Sequence, residues 1–248
     1  CPIHSSLNSL LSQDDIDLII VATPSSLHHR HVMDALNAGK HVMVEKPMAL
    51  TLIQAEEMAH QARQRGLVLT VHHNRRYDGD FLRLRNLLSE GRVGSLVSIE
   101  VRLQNRNWPE DYPAQEYRPL WRLEREFGGG NLFDWAPHFI DQLLQLVGHA
   151  PKSINAWLRS ARWSNEVDDF FRAILVWPDG TLGQVEASSI SPHPLPHWNV
   201  VGSNATISQQ RWGDPFLLTQ LDGTVAEFAE FPQDSRRIFN NLAGAILG

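Results

Sequence analysis

The sequence predicts an α/β protein: a parallel sheet in the first part, then a sheet-rich second domain with a helix inserted. Three observations carry that expectation. Short apolar runs alternate with helical stretches as far as Leu88, and from Leu96 the pattern changes to a strict period of two. Further on, Trp177-Pro178-Asp179-Gly180-Thr181 reads as a hairpin turn between two apolar runs.

The elements follow in order. Leu7 to Leu11 is helical in pattern. Ile16 to Ala22 is a continuous apolar run stopped by Thr23-Pro24, as expected of a strand covered on both faces. Leu27 to Ala38 has helical spacing and ends at Gly39, a natural C-cap. His41 to Val44 is the next strand. Thr51 to Arg65 is a helix with Gln54 at capping-box spacing from Thr51, Arg63 and Arg65 in its last turn, and Gly66 after it. Leu67 to Val71 is a third strand and Asp80 to Leu88 a further helix. Strands joined by helices of this length pair in parallel through right-handed crossovers.

In the later part, Val97, Ile99, Val101 and Leu103 alternate with Ser98, Glu100, Arg102 and Gln104, a strand with one wet face. Ile154 to Leu158, Phe170 to Trp177, Thr181 to Ser188 and Trp198 to Val201 continue as strands, and the hairpin turn implies antiparallel pairing among them. The domain division falls at residue 74, giving 1–74 and 75–248. The chain opens on Cys1-Pro2 rather than Met and closes within a helical pattern at Phe239, Leu242, Ala243 and Ile246, so both ends read as truncations.

Composition excludes some functions. With 248 residues, 42% of them hydrophobic, the chain is long enough to bury a sizeable core. A net charge of -6 with scattered basic residues argues against a nucleic-acid partner. The longest apolar runs are too short to cross a bilayer, and no signal segment opens the chain, so no membrane partner is expected. Cys1 alone forms no intrachain disulfide, which fits a cytoplasmic protein.

Open α/β sheets bind ligands at the carboxyl ends of their strands. Those ends carry Thr23-Pro24, Glu45-Lys46-Pro47 and His73-Asn74-Arg75-Arg76, so the unusual chemistry collects on one edge. Lys46 leaves a rigid strand at a proline-braced turn. Asp134, His138 and Asp141 follow Gly128-Gly129-Gly130 at helical spacing and share one face. Taken singly, such residues have plain readings: a solvated lysine, an exposed Asp/His pair worth about 0.3–0.5 kcal/mol, a helix-capping Asp134. A metal-dependent hydrolase with Asp134, His138 and Asp141 as ligands is one alternative, though it needs further ligands and gives Lys46 no role. A non-catalytic binding or scaffold protein is another.

The segments VATPSSLHH, AGKHVMVEKP, VHHNRRYD, Trp121-Arg122 and GGGNLFDWAPHFIDQLL, in that order, resemble the glucose-fructose oxidoreductase/inositol dehydrogenase (Gfo/Idh/MocA) family of nicotinamide-dependent dehydrogenases. The EKP segment followed at a distance by GGG-x3-D-x3-H is the most specific part. The resemblance implies the C-terminal half of a Rossmann-type parallel sheet that holds NAD or NADP. After it would come an α+β domain whose open, mainly antiparallel sheet covers the substrate and often builds a homo-oligomer. It implies Lys46, Asp134 and His138 as catalytic residues, with no metal. Thr23, Pro24, His28, Glu45, Lys46 and Asn74 would line the nicotinamide half of the cofactor, with Trp121 and Arg122 as further cofactor-site candidates.

Two departures stand out. No G-x-G-x-x-G occurs in this chain, and Gly128 to Gly130 cannot replace it because position 133 is Phe and no βαβ unit begins there. Without that turn the pyrophosphate lacks its helix N-terminus, so the chain alone is expected to bind dinucleotide poorly. Ala136 stands where many relatives carry Gly, leaving the Asp134 to His138 spacing intact. The implied chemistry suits the side chains. Oxidising a secondary alcohol requires removal of the hydroxyl proton, a task for the imidazole of His138 as general base. Asp134 would orient substrate hydroxyls or support the imidazolium, and Lys46 would stabilise charge on the reacting oxygen. The expected substrate is a sugar, inositol or related polyol.

Overall fold

A computed structural model describes residues 2–105 and 120–248. By internal packing the chain divides into two units, one of Cys1–His73, Glu126–Gly128 and Arg236–Gly248, the other of Asn74–Arg125 and Gly129–Ser235.

The first unit is built on three parallel strands in the order β1 (Leu18–Val21), β2 (His41–Val44) and β3 (Leu69–Val71). With them go α1 (Leu7–Leu11), α2 (His28–Asn37) and α3 (Leu52–Arg65). The capping signals act as expected at α3. Thr51 Oγ1 accepts from the Gln54 amide at 3.3 Å, and Gly66 closes the helix in the left-handed region. The return bond is displaced by one residue, since Gln54 Oε1 accepts from Leu50 N at 3.2 Å rather than from Thr51. Val32, Leu36, Val42, Val44 and Met58 are fully buried and form the core, each worth roughly 1.5–3 kcal/mol of burial. The C-terminal helix (Arg236–Leu247), on the second-domain side of the division at residue 74, belongs by packing to this unit. Its Ile238 and Leu242 are buried, and the Phe239 ring lies 6.0 Å from that of His72.

The second unit is an eight-stranded sheet. Along the chain its strands are β4 (Leu96–Gln104), β5 (Ser153–Arg159), β6 (Phe170–Val176), β7 (Leu182–Ser188), β8 (Trp198–Gly202), β9 (Ala205–Gln209), β10 (Phe216–Gln220) and β11 (Val225–Phe228). In space they run β11-β10-β9-β8-β4-β7-β6-β5. The turn at Trp177 to Thr181 makes the expected antiparallel hairpin of β6 and β7. The sheet is mainly antiparallel, as expected, and among the described strands only its β4–β7 pair runs parallel. Strands β9 to β11 were not anticipated, being short and separated only by turns.

α4 (Gly79–Ser89) and α5 (Asn131–Val147) share a core with one face of this sheet. Leu84, Leu87, Phe139, Leu143, Ile99, Val101, Phe171, Leu175, Val185 and Trp198 meet there, all but excluded from solvent. The other face is open, as the alternation in β4 predicts. It carries ion pairs, Arg102 with Glu100 and Arg172 Nη2 with Glu186 Oε2 at 2.6 Å, beside the exposed indole of Trp157. Among the described residues no helix is long and apolar enough to cross a membrane.

Candidate active site

The carboxyl edge of the first unit brings together five of the residues singled out from the sequence. β1 runs out through Ala22 to Thr23-Pro24, and β2 runs directly into Glu45-Lys46-Pro47, with a cis peptide between Lys46 and Pro47. Glu45 Oε1 is bonded to His72 Nδ1 at 2.7 Å, and Glu45 Oε2 accepts from the Lys46 amide at 3.3 Å. Thr23 Oγ1 faces His31 Nδ1 at 3.3 Å. His28 lies deeper than a ligand-lining residue would. Its side chain is buried, and both ring nitrogens are engaged by main-chain carbonyls, those of Thr23 and Pro47. Asn74 is exposed and opens the short 3-10 turn that follows β3.

In the second unit the residues singled out from the sequence lie on α5. Asp134 and His138 lie one turn apart on it, 9% and 5% exposed, which removes the reading of an exposed surface pair. Pro137 sits inside the helix and donates no N–H, so the Phe133 carbonyl lacks its usual partner one residue before His138. Arg122 Nε stands 3.5 Å from Asp134 Oδ2, and its guanidinium lies 4.4 Å from the centre of the Trp121 ring. The structure thus gathers Trp121 and Arg122 at Asp134.

The glycines before α5 make that approach possible. A Cβ on Gly129 would stand 2.4 Å from the Arg122 carbonyl oxygen, and the Gly130 amide donates to that same carbonyl at 2.9 Å. Gly130 itself has φ 102 and ψ 154, a region open only to glycine. Asp134 is not the cap of α5. The capping carboxylate comes from Asp168, whose Oδ2 accepts from Leu132 N at 2.9 Å, while its backbone carbonyl accepts from Asn131 N. The Asn131 amide adds bonds to Asp169 O and Ser189 Oγ. Burial pushes the Asp168 carboxyl up to about 6, with the neighbouring Asp169 adding to the rise against the backbone bonds.

Sequence reasoning missed Asp168, since nothing local marks a cap that arrives from another segment. It also missed the partner of Asp141, whose two oxygens are held by Arg76 Nε at 2.7 Å and Nη2 at 2.5 Å. That fork-to-fork pair occupies the third ligand a metal-dependent hydrolase would need.

The model of the oxidoreductase family with an NAD-binding Rossmann fold matches residues 1–73, and that of the GFO/IDH/MocA C-terminal domain matches residues 81–208. The scyllo-inositol 2-dehydrogenase (NADP+) IolW of Bacillus subtilis is 35% identical over 204 residues, covering 81% of this chain and 53% of that protein. The 1,5-anhydro-D-fructose reductase of Ensifer adhaerens is 32% identical over 185 residues, 73% of this chain and 53% of that protein. Among solved structures, the Bacillus subtilis oxidoreductase YvaA superposes with a TM-score of 0.86 at 27% identity, over 97% of this chain and 74% of that one. An NAD-binding protein from Listeria innocua gives 0.84 at 27% identity, over 98% and 77%. The chain spans about half the length of the curated relatives it matches. With both family models matched in order, the chain belongs to the GFO/IDH/MocA family of oxidoreductases.

Proposed function

We propose that the whole protein transfers a hydride between NAD or NADP and a secondary hydroxyl or carbonyl carbon of a sugar, inositol or related polyol. The observation that carries this reading is the buried pair of Asp134 and His138 on one face of α5, with Arg122 beside Asp134. The named relatives support it, since they include an inositol dehydrogenase and an anhydrofructose reductase.

The donor set at the carboxyl edge of the first unit suits the nicotinamide end of a dinucleotide: the Thr23 hydroxyl, the Glu45 carboxylate and the Lys46 ammonium, with Asn74 after β3. When bound, the cofactor supplies the hydride acceptor or donor. The protein's residues do the rest. His138 takes the hydroxyl proton during oxidation and returns it during reduction, a role worth roughly two to four orders of magnitude in rate. Lys46 hydrogen-bonds the same oxygen and stabilises the negative charge that develops there. Asp134 holds neighbouring hydroxyls, with the Arg122 guanidinium beside its carboxylate. Residues 1–74 together with the C-terminal helix act as the cofactor-side domain, and the rest of the chain acts as the substrate-side domain. The open sheet face, with Trp157 57% exposed, is the surface on which copies of the chain assemble.

Titration of NAD(H) and NADP(H) into the whole protein, followed by nicotinamide fluorescence and then by turnover on a panel of inositols and sugars, tests the reading. Binding of one cofactor with turnover of at least one polyol is the expected result. A whole protein that binds neither cofactor would sink it.

A further inference from the structure

His72 follows β3 directly, and its Nδ1 donates to Glu45 Oε1 at 2.7 Å. The other carboxylate oxygen, Oε2, accepts from the Lys46 amide at 3.3 Å. Both oxygens are therefore held from the protein side, which fixes the carboxylate at the end of β2. The Glu45 side chain is 37% exposed and that of His72 22%, so the charge of the pair is felt outside the strand ends, where open α/β sheets bind ligands.

The pair can carry two net charges with one geometry. With the imidazole protonated it is a neutral ion pair; with the imidazole neutral, the Nδ1–H still donates and the carboxylate is left as a single uncompensated negative charge. The two forms of a nicotinamide cofactor differ in the same way. The oxidised ring is a cation and the reduced ring is neutral, while the rest of the molecule is common to both. A lone carboxylate favours the cation, and a neutral pair discriminates far less.

We propose that His72 is a positioning residue that sets how strongly this edge prefers oxidised over reduced nicotinamide, by lending a positive charge to the Glu45 carboxylate or withdrawing it. The inference rests on the cofactor reading proposed above and names a property of that same site.

The bond from Glu45, against burial, holds His72 above its ordinary 6.5, so its change of charge falls on the alkaline side of that value. Glu45 is held below 4.5 and stays ionised throughout that range. The other charged or titratable groups on the elements around the ring are Lys46 on the β2 turn, His73 beside it, His28 and His31 on α2, and Arg236 and Arg237 on the C-terminal helix that brings up Phe239. Arg75 and Arg76, next along the chain, are engaged by Asp78 and Asp141. Burial first, then Arg30, hold His31 below 6.5, on the opposite side from His72, so the two titrations separate.

Affinities of the oxidised and the reduced cofactor for the whole protein, measured from about pH 6 to about pH 9.5, test the proposal. Charges common to both forms, the phosphates included, cancel in the ratio of the two. In the parent the ratio should move toward the oxidised form by roughly tenfold as pH rises through the midpoint of His72. In His72→Gln, whose amide can still donate to the carboxylate, it should be flat and equal to the alkaline value of the parent. Histidine NMR of the 248-residue chain without cofactor gives a second readout: the His72 ring should titrate above 6.5 and fall back toward it in Glu45→Gln. In the whole protein the ring should titrate lower with the oxidised form bound than with the reduced form, the reciprocal of the same coupling. Should His72→Gln not fold, the parent's ratio and these ring titrations decide. A ratio indifferent to pH, or one that moves equally in His72→Gln, would overturn the role of His72 and leave the hydride-transfer reading in place. A whole protein that binds neither form would overturn both.

Discussion

Nδ1 of His72 and Oε1 of Glu45 stand 2.7 Å apart, a bond that joins the carboxyl ends of the neighbouring strands β3 and β2. Burial alone would raise the Glu45 carboxyl, but the His72 bond and charge, with the backbone and ammonium of Lys46, hold it below its ordinary 4.5. The same bond lifts His72 above its ordinary 6.5, against the effect of its own burial.

The pair makes stability depend on pH in a definite direction. Glu45 contributes above 4.5 and loses that contribution as pH falls through its lowered folded value; His72 contributes below 6.5 and loses it as pH rises through its raised one. The joint contribution is therefore largest between 4.5 and 6.5. Glu45→Gln should cost no more than about 1 kcal/mol there, because both side chains are partly exposed and screened. Urea unfolding of the two proteins across pH checks this, and an equal loss in alkaline solution would refute it.

Gly130→Ala should destabilise the second unit. The added Cβ would meet Asp168 Oδ1 at 2.4 Å, and the backbone at φ 102 would be strained whatever the space. Strain of that kind costs about 1–3 kcal/mol, before any displacement of the capping carboxylate. The change in urea midpoint measures it, and a variant as stable as the parent would show that this turn relaxes freely.

Asp168 gives a pH dependence of the opposite sign to Glu45. Its folded value of about 6 lies above the ordinary 3.8, so the folded protein binds the extra proton between those limits and loses stability as pH rises through them. The loss is on the order of 2–3 kcal/mol. Asp168→Asn keeps an oxygen for the Leu132 amide but carries no charge, and its unfolding profile should be flatter across that interval. Parallel profiles for parent and variant would count against the assignment.

Lys46→Met and His138→Ala, each made in the whole protein, should lower turnover by roughly two to four orders of magnitude with the fold retained. Circular dichroism and thermal melting establish the fold, and steady-state rates on an accepted polyol establish the loss. Turnover near that of the parent in both variants would remove the roles proposed for these side chains.

What the sequence discloses and what it hides divide along one physical line. Elements specified by neighbours in the chain were legible: the helix from Thr51 to Arg65 announced its cap and its closing Gly66, and the hairpin at Trp177 to Thr181 announced its turn. The turn bearing Lys46 was legible as the place where a buried strand ends, and Asp134 with His138 as one face of a helix. Pairings between distant segments were not. Nothing beside Leu103 marks it as a parallel partner of Ala187, and nothing beside Asp168 marks it as the cap of α5. Short strands such as Val225–Phe228 carry too few residues for alternation to register. The engagement of His28 with two carbonyls was hidden for the same reason, since one of them belongs to Pro47 on a later strand's turn.

Strand β4 lies in the middle of its sheet, with β7 on one side and β8 on the other, yet both partners are made late. During synthesis β4 emerges and then waits roughly eighty residues for the first of them, several seconds at about 5–20 residues per second. Through that interval a nine-residue segment carrying Ile99, Val101 and Leu103 has both edges bare, the condition that invites pairing with another nascent chain. Glu100 and Arg102, charged and set between those apolar residues, guard the segment while it waits. Replacing them with threonine or valine, residues well suited to a finished strand, would make the chain harder to produce without making the folded protein weaker.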